Sequence, residues 1–146
     1  MTERAVVVGR DGRAKVYQPL PEVERRAAID AGLAAYERGD YFEAHEDLEP
    51  AWMGTDDLVE RSLLQGLIKV AAAYVHDVRG NPAGIARNLV GARRLLAEAA
   101  EGSSPDIGID VADLIEAVDL RLADLETHPT EPTLGAPTIQ RTRSSR

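Results

Sequence analysis

Between Leu63 and Val75 only Gln65 and Lys69 interrupt a run of apolar and small residues. A helix this uniformly apolar is stable only when other elements surround it. The run also falls short of the roughly 20 residues that cross a bilayer. The chain must therefore wrap this segment in its own structure, and its 146 residues suit a single domain. Aromatic residues make up 4% of the composition against 44% apolar overall, so Ala, Leu, Val and Ile must do the wrapping. That favours helices packed closely through small residues.

The flanking punctuation is helical too. A first helix is expected from Pro21 or Glu22 to about Arg38, with Ile29, Gly32, Leu33 and Tyr36 on one face. Gly39 is a natural stop and Asp40 a natural N-cap for a second helix over 41–49, which Pro50 should break or kink. The central helix is expected over 57–78. Asn81 and Pro82 open a fourth running to about Ala100, and 101–105 form a loop. Asp110 starts a fifth, with Val111, Leu114, Ile115, Val118, Leu122 and Leu125 on one stripe. Residues 5–8 and 14–17 flank Gly9-Arg10-Asp11-Gly12-Arg13 and form either a small hairpin or an extended arm. After Glu126 the composition turns to Thr, Pro, Ser and Arg, the signature of a flexible tail. The fold class is thus all-α: a compact bundle of about five helices, two helical hairpins plus a closing C-terminal helix, behind a short extended arm. The parts are an arm at 1–20, a helical domain at 21–126 and a tail at 127–146.

A faint repeat runs through the helices. Gly39-Asp40-Tyr41-Phe42-Glu43-Ala44 resembles Gly80-Asn81-Pro82-Ala83-Gly84-Ile85-Ala86, each placing a Gly stop, a polar cap and a small residue in order. This resembles the helix-turn-helix unit of tetratricopeptide repeats, although two loose copies fall short of the three or so that a solenoid needs.

Charge and composition exclude several functions. The chain carries −8 overall, and residues 127–146 hold +2 of that, leaving −10 on the rest. Phosphate backbones would be repelled, so nucleic-acid binding by the folded part is not expected. With no Cys, disulfide scaffolds and thiolate chemistry are excluded. No membrane span and no leader are read, and the expected compartment is the cytoplasm. The partner remains a small molecule or a protein, and a homodimer is compatible with the sequence.

Two faces carry candidate chemistry. On the central helix Leu64, Leu67, Ile68, Ala71, Val75 and Val78 share one side, with Gln65, Lys69 and His76 along its edge. That polar edge is either a solvent strip or one wall of a polar pocket. On the second helix Tyr41, Phe42, His45, Leu48 and Glu49 share a face, which Trp52 joins if the helix continues past Pro50, while Glu43 and Asp47 point to water. A His and a Glu in the middle of such a face must be hydrogen-bonded or bound to something. One reading is a structural network of His45 and Glu49 with Gln65 or Tyr74. Another is a divalent metal, such as zinc, manganese or iron, held by His45, Glu49 and His76, with Glu46 as catalytic general base and Trp52, Gln65 and Tyr74 contacting a ligand. His45-Glu46-x-x-Glu49 is not the zincin motif, which needs His where Glu49 stands. His45, His76-Asp77 and Asp119 also resemble the ligand order of His-Asp phosphohydrolases, a common pattern by chance. Phosphate loops and Gly-x-Ser-x-Gly elbows are absent, and His128 lies in the tail as a bystander.

The runs Gly39-Asp40-Tyr41-Phe42-Glu43-Ala44-His45-Glu46-Asp47-Leu48-Glu49-x-x-Trp52 and Leu64-Gln65-Gly66-Leu67-Ile68-x-x-Ala71-Ala72-Ala73-Tyr74-x-His76, followed by Gly80-Asn81 and Gly84, are distinctive together. Over about residues 25–100 they resemble the family named domain of unknown function 309, small all-helical bacterial and archaeal proteins. The family's characteristic residues map onto Phe42, His45, Glu46, Glu49, Trp52, Gln65, Gly66 and His76. The resemblance implies an all-α fold and a polar cluster, and it brings no function. Binding of a small ligand or divalent metal at that cluster is the first functional expectation; the alternative is a non-catalytic, tetratricopeptide-like protein-interaction module.

Overall fold

The computed structural model describes residues 6–8, 14–16, 18–75, 81–102 and 107–142. Two short strands, β1 (Val6–Val8) and β2 (Ala14–Val16), pair antiparallel with Val6 opposite Val16 and Val8 opposite Ala14. The connection between them, residues 9–13, on which the expectation of a small hairpin or an extended arm turns, lies outside the described residues. Five helices follow: α1 (Glu22–Glu37), α2 (Tyr41–Met53), α3 (Leu58–Ala73), α4 (Pro82–Glu101) and α5 (Val111–Thr127). The all-α bundle read from the sequence is the observed fold. Asp40, Asp57, Asn81 and Asp110 each accept a hydrogen bond from the backbone N–H three residues on, which fixes where α2, α3, α4 and α5 begin. Gly39 ends α1 in the left-handed conformation, φ +83°, open to glycine without strain.

Each helix packs chiefly on the next in sequence, α1 on α2, α2 on α3, α3 on α4 and α4 on α5. The seams are built from small residues. A Cβ on Gly32 would lie 2.6 Å from Leu48 Cγ and 3.4 Å from the Ala44 carbonyl, so α1 and α2 touch almost backbone to backbone. Gly66 does the same for α3 and α4, against Leu96 at 3.0 Å and the Ala92 carbonyl at 3.5 Å. Both glycines face an Ala and a Leu one turn apart on the second helix of their hairpin, and they stand thirty-four positions apart in the chain. The central helix α3 buries Leu63, Leu64, Leu67, Ile68, Val70 and Ala71, while Gln65 and Lys69 lie on its half-buried strip.

Two helix boundaries differ from expectation. α2 continues through Pro50 to Met53. Pro50 is exposed and sits opposite the buried side of Ala44, Leu48, Ala51 and Trp52, so the Glu46 carbonyl that loses its N–H partner faces water. α3 ends at Ala73 rather than 78, because the N–H groups of Tyr74 and Val75 turn back to the carbonyls of Ala71 and Ala72 in a tightened last turn. The positions 76–78 of that expectation lie outside the described residues.

The tail read from composition packs against the body. Residues 128–142 form a strap that lies back on α5, α1 and the segment before α5. Asp124 of α5 accepts from the Thr133 N–H at 2.8 Å, the Thr133 hydroxyl at 2.7 Å and the Leu134 N–H at 2.9 Å. Arg121 donates to the Gly135 carbonyl at 3.1 Å, the Tyr36 hydroxyl donates to the Pro137 carbonyl at 2.5 Å, and Ile139 is buried. Composition missed this because a strap needs only a few anchors, and they sit far away in sequence. The Thr133 hydroxyl, then the Leu134 and Thr133 N–H groups, with a contact from His128, hold the Asp124 carboxyl below its ordinary range against a smaller opposing effect of burial. The sign follows: a lowered folded-state pKa gives a hold that is fully present above the unfolded carboxylate pKa and is lost as pH falls through the lowered value. Hydrogen exchange of the Thr133 and Leu134 amides should therefore accelerate, relative to α3 amides, only below the usual carboxylate range. Equal protection of these amides at acidic and neutral pH, after correction for intrinsic rates, would refute this.

Candidate functional site

The family-motif residues of α2 occupy a flank of the helix rather than the middle of its core face. Ala44, Leu48, Ala51 and Trp52 are buried, whereas Phe42 is 61% exposed, His45 and Glu49 are half-buried, and Glu46 is exposed. Against the sequence expectation, the buried face is rotated by about 80° at 100° per residue. The reason is the α1 seam: close approach at Gly32 selects Ala44 and Leu48 as contact residues and turns Phe42 outward. Asp47, expected in water, is half-buried on the other edge. Trp52 is buried, as its position requires once α2 runs past Pro50.

His45 Nδ1 lies 3.6 Å from a Glu46 carboxylate oxygen, too far for a hydrogen bond, and this nitrogen is buried without a hydrogen-bond partner. Among the described residues, His45 Nδ1 therefore makes no hydrogen bond of the structural network expected to join it to Glu49 with Gln65 or Tyr74. Tyr74 instead belongs to a row of rings: Tyr41 meets Tyr36 edge-on at 5.2 Å and Tyr74 at 6.0 Å. Burial pushes the Tyr74 hydroxyl up to about 12, and the Tyr36 hydroxyl further above its ordinary value. Both stay protonated donors at any ordinary pH.

The Tyr41–Tyr74 contact fixes α2 and α3 as antiparallel, with the start of one beside the end of the other. Gln65 stands nine positions before Tyr74 and Trp52 eleven after Tyr41, so both lie roughly 13–16 Å along the helix axes from the tyrosine end. Trp52 and Gln65 therefore stand towards the opposite end of the α2–α3 pair from Tyr74. Of the proposed metal ligands, His45 and Glu49 share the α2 flank one turn apart, and His76 lies outside the described residues, as does Asp77. Among the described residues no group of three His, Asp or Glu side chains is placed to hold a metal ion. Glu46 is exposed on that flank. Asp119, the last member of the phosphohydrolase-like order, is engaged on α5 by Arg93 at 3.0 and 3.2 Å. His128 is no bystander: its ring lies 3.2 Å from Asp124 at the strap anchor.

Two groupings escaped the sequence reading. One is the strap on Tyr36, Arg121 and Asp124. The other is Glu60, 2% exposed, which accepts from the Thr55 hydroxyl at 2.6 Å and pairs with Arg25 at 3.6 Å. Neither has a local motif. A Glu three residues after the Asp57 cap reads as a helix-start residue, which conceals its burial. No helix among the described residues is long and apolar enough to cross a membrane.

Residues 29–88 match the model of a family described as Domain of unknown function (DUF309). The chain is also similar to the uncharacterized protein YpuF of Bacillus subtilis (strain 168), with 31% identity over 102 residues, 70% of this chain and 58% of that protein. It thus spans less than two thirds of that relative's length. No solved structure matches it. Phe42, His45, Glu46, Glu49, Trp52, Gln65, Gly66 and His76 all fall inside the matched segment, and over residues 29–88 the chain resembles the domain of unknown function 309.

Proposed function

We infer that the chain is a non-catalytic interaction module built from two helical hairpins, and that the α2 flank of Phe42, His45, Glu46 and Glu49 binds a basic peptide with an apolar anchor. The observation that carries this reading is Phe42. It is the chain's single Phe, it is 61% exposed, and it lies outside the core of the described residues. Solvated aromatic anchors beside polar groups suit partner recognition. The chemistry of the partner follows from the charge around it: α2 carries Glu43, Glu46, Asp47 and Glu49 and no Lys or Arg. A Lys/Arg-bearing helix with a Leu or Phe on its apolar face complements both features. The hairpin seams at Gly32 and Gly66, spaced at the tetratricopeptide period, support the same class.

The test is titration of the full chain with a designed Leu/Lys amphipathic helical peptide, read by NMR. Saturable shifts should concentrate on Phe42, His45, Glu46 and Glu49, and Phe42→Ala should weaken binding by about tenfold or more, as loss of an anchor does. Shifts spread over the whole acidic surface, equal in Phe42→Ala, would overturn the reading.

A second reading, divalent metal at His45, Glu49 and His76, is favoured by one observation, the buried His45 Nδ1 without a hydrogen bond. Zinc, manganese or iron would then raise the melting temperature of the parent chain and leave His45→Ala unmoved. An unchanged parent melting temperature with all three metals ends it.

A further inference from the structure

The strap is held as a bound peptide would be held. Its backbone pairs antiparallel with the segment before α5: the Asp110 N–H donates to the Gln140 carbonyl and the Thr142 N–H to the Gly108 carbonyl, both at 2.9 Å, around the bridge Ile109–Arg141. Its side chains use separate receptors. Ile139, 5% exposed, fills an apolar position, and Pro137 is buried with its carbonyl on the Tyr36 hydroxyl. Arg141 reaches Asp30 at 3.4 Å and Glu37 at 3.7 Å, two carboxylates two turns apart on α1. Main-chain pairing, an alternate-residue apolar position and a charge clamp are the components of strand-addition recognition.

The strap's own hold is limited. It fully buries two side chains, Pro137 and Ile139, while Pro132 and Ala136 are half-buried and Leu134 remains 39% exposed. A segment that buries two side chains opens locally at less cost than the helices it covers.

We propose that the groove formed by Tyr36, Asp30 and Glu37 of α1 with residues 107–110 is a binding site for an extended segment of a partner protein with the pattern Pro-x-Ile-x-Arg, and that the strap occupies it as an intramolecular competitor. The occupant's chemistry is read from the strap itself: a proline whose carbonyl accepts from Tyr36, a branched apolar residue two places on, and an arginine two places further. Release of the strap also uncovers a shallow recess between Tyr74, Ile85, Arg121 and Leu125, at present lined on its outer side by Pro132 and Leu134. The site is distinct from the α2 flank and does not depend on the reading given there.

A tethered competitor presents itself at an effective concentration in the millimolar range, so an outside peptide sees a largely closed groove. The test uses the full chain, opened by Ile139→Asp with Arg141→Glu, and a fluorescent peptide of the sequence of residues 133–142. The opened chain should bind this peptide at least tenfold tighter than the parent chain, by anisotropy. A peptide carrying the Ile139→Asp change should not bind, and Asp30→Asn with Glu37→Gln in the opened chain should weaken the parent peptide. Equal affinity for opened and parent chains overturns the proposal. So does loss of helical circular dichroism in the opened chain, because the strap would then be part of the fold rather than a displaceable occupant.

Discussion

Glu60→Ala should lower the stability of this protein by about 3–5 kcal/mol, the cost of removing one partner from a buried charge pair. Glu60 is 2% exposed at the start of α3, where its carboxylate accepts from the Thr55 hydroxyl and faces the Arg25 guanidinium. Arg25 also donates to the Leu20 carbonyl at 2.7 Å, and Arg61 to the Thr55 carbonyl at 3.4 Å. One carboxylate thus ties α1, the segment before it and the α2–α3 connection to α3. Without it, Arg25 keeps a charge that is only 19% exposed and has no counterion there. The melting temperature should fall by roughly 10 °C for a chain of this size. Glu60→Gln should lose less, because its amide oxygen still accepts from Thr55. Replacing Arg25 and Glu60 together by Met should recover most of the loss, since no charge is then stranded. Chemical denaturation of the four proteins checks the order. A Glu60→Ala loss below about 1 kcal/mol, the range of a surface pair, would show that water reaches Arg25 in the folded state.

The contrast between this network and the helices shows what a sequence can carry. Helix starts were legible because Asp40, Asn81 and Asp110 act on N–H groups three residues away. The burial of α3 was legible because its apolar residues surround it on nearly every side. Helix ends were less so: whether Pro50 ends α2 depends on which side of the helix faces water, and tertiary packing decides that. The candidate site suffered from the same dependence. The spacing of His45 and Glu49 correctly places them one turn apart, but the seam at Gly32 sets which side of α2 is inward. The strap was illegible for another reason. Asp124 meets Thr133 and Leu134 across a turn, and Arg141 meets Asp30 across most of the chain, so no local pattern marks either contact.

That dependence on Gly32 gives the second large effect. Gly32→Val should destabilise by about 3 kcal/mol, at the upper end of overpacking penalties. A Cβ there would stand 2.6 Å from Leu48 Cγ and 2.8 Å from Cδ2, and Leu48 is 2% exposed, so it has no solvent to turn into. The α1–α2 seam must then widen or α2 must rotate, and rotation carries the flank of His45, Glu46 and Glu49 with it. The better helix propensity of Val over Gly offsets only a few tenths of a kcal/mol of this. Gly66→Ala is milder, because its nearest contact, Leu96, is at 3.0 Å and needs only a small shift. Shortening the opposing side chain separates steric crowding from a general dislike of Val in a helix. In the double variant Gly32→Val with Leu48→Ala, the added methyls occupy the volume that Leu48 vacates, so the combined loss should be smaller than the sum of the single losses by 1 kcal/mol or more, in the range of coupling between residues in contact. Additive losses would mean that the two positions do not touch, and the packing that turns Phe42 towards solvent would need another cause.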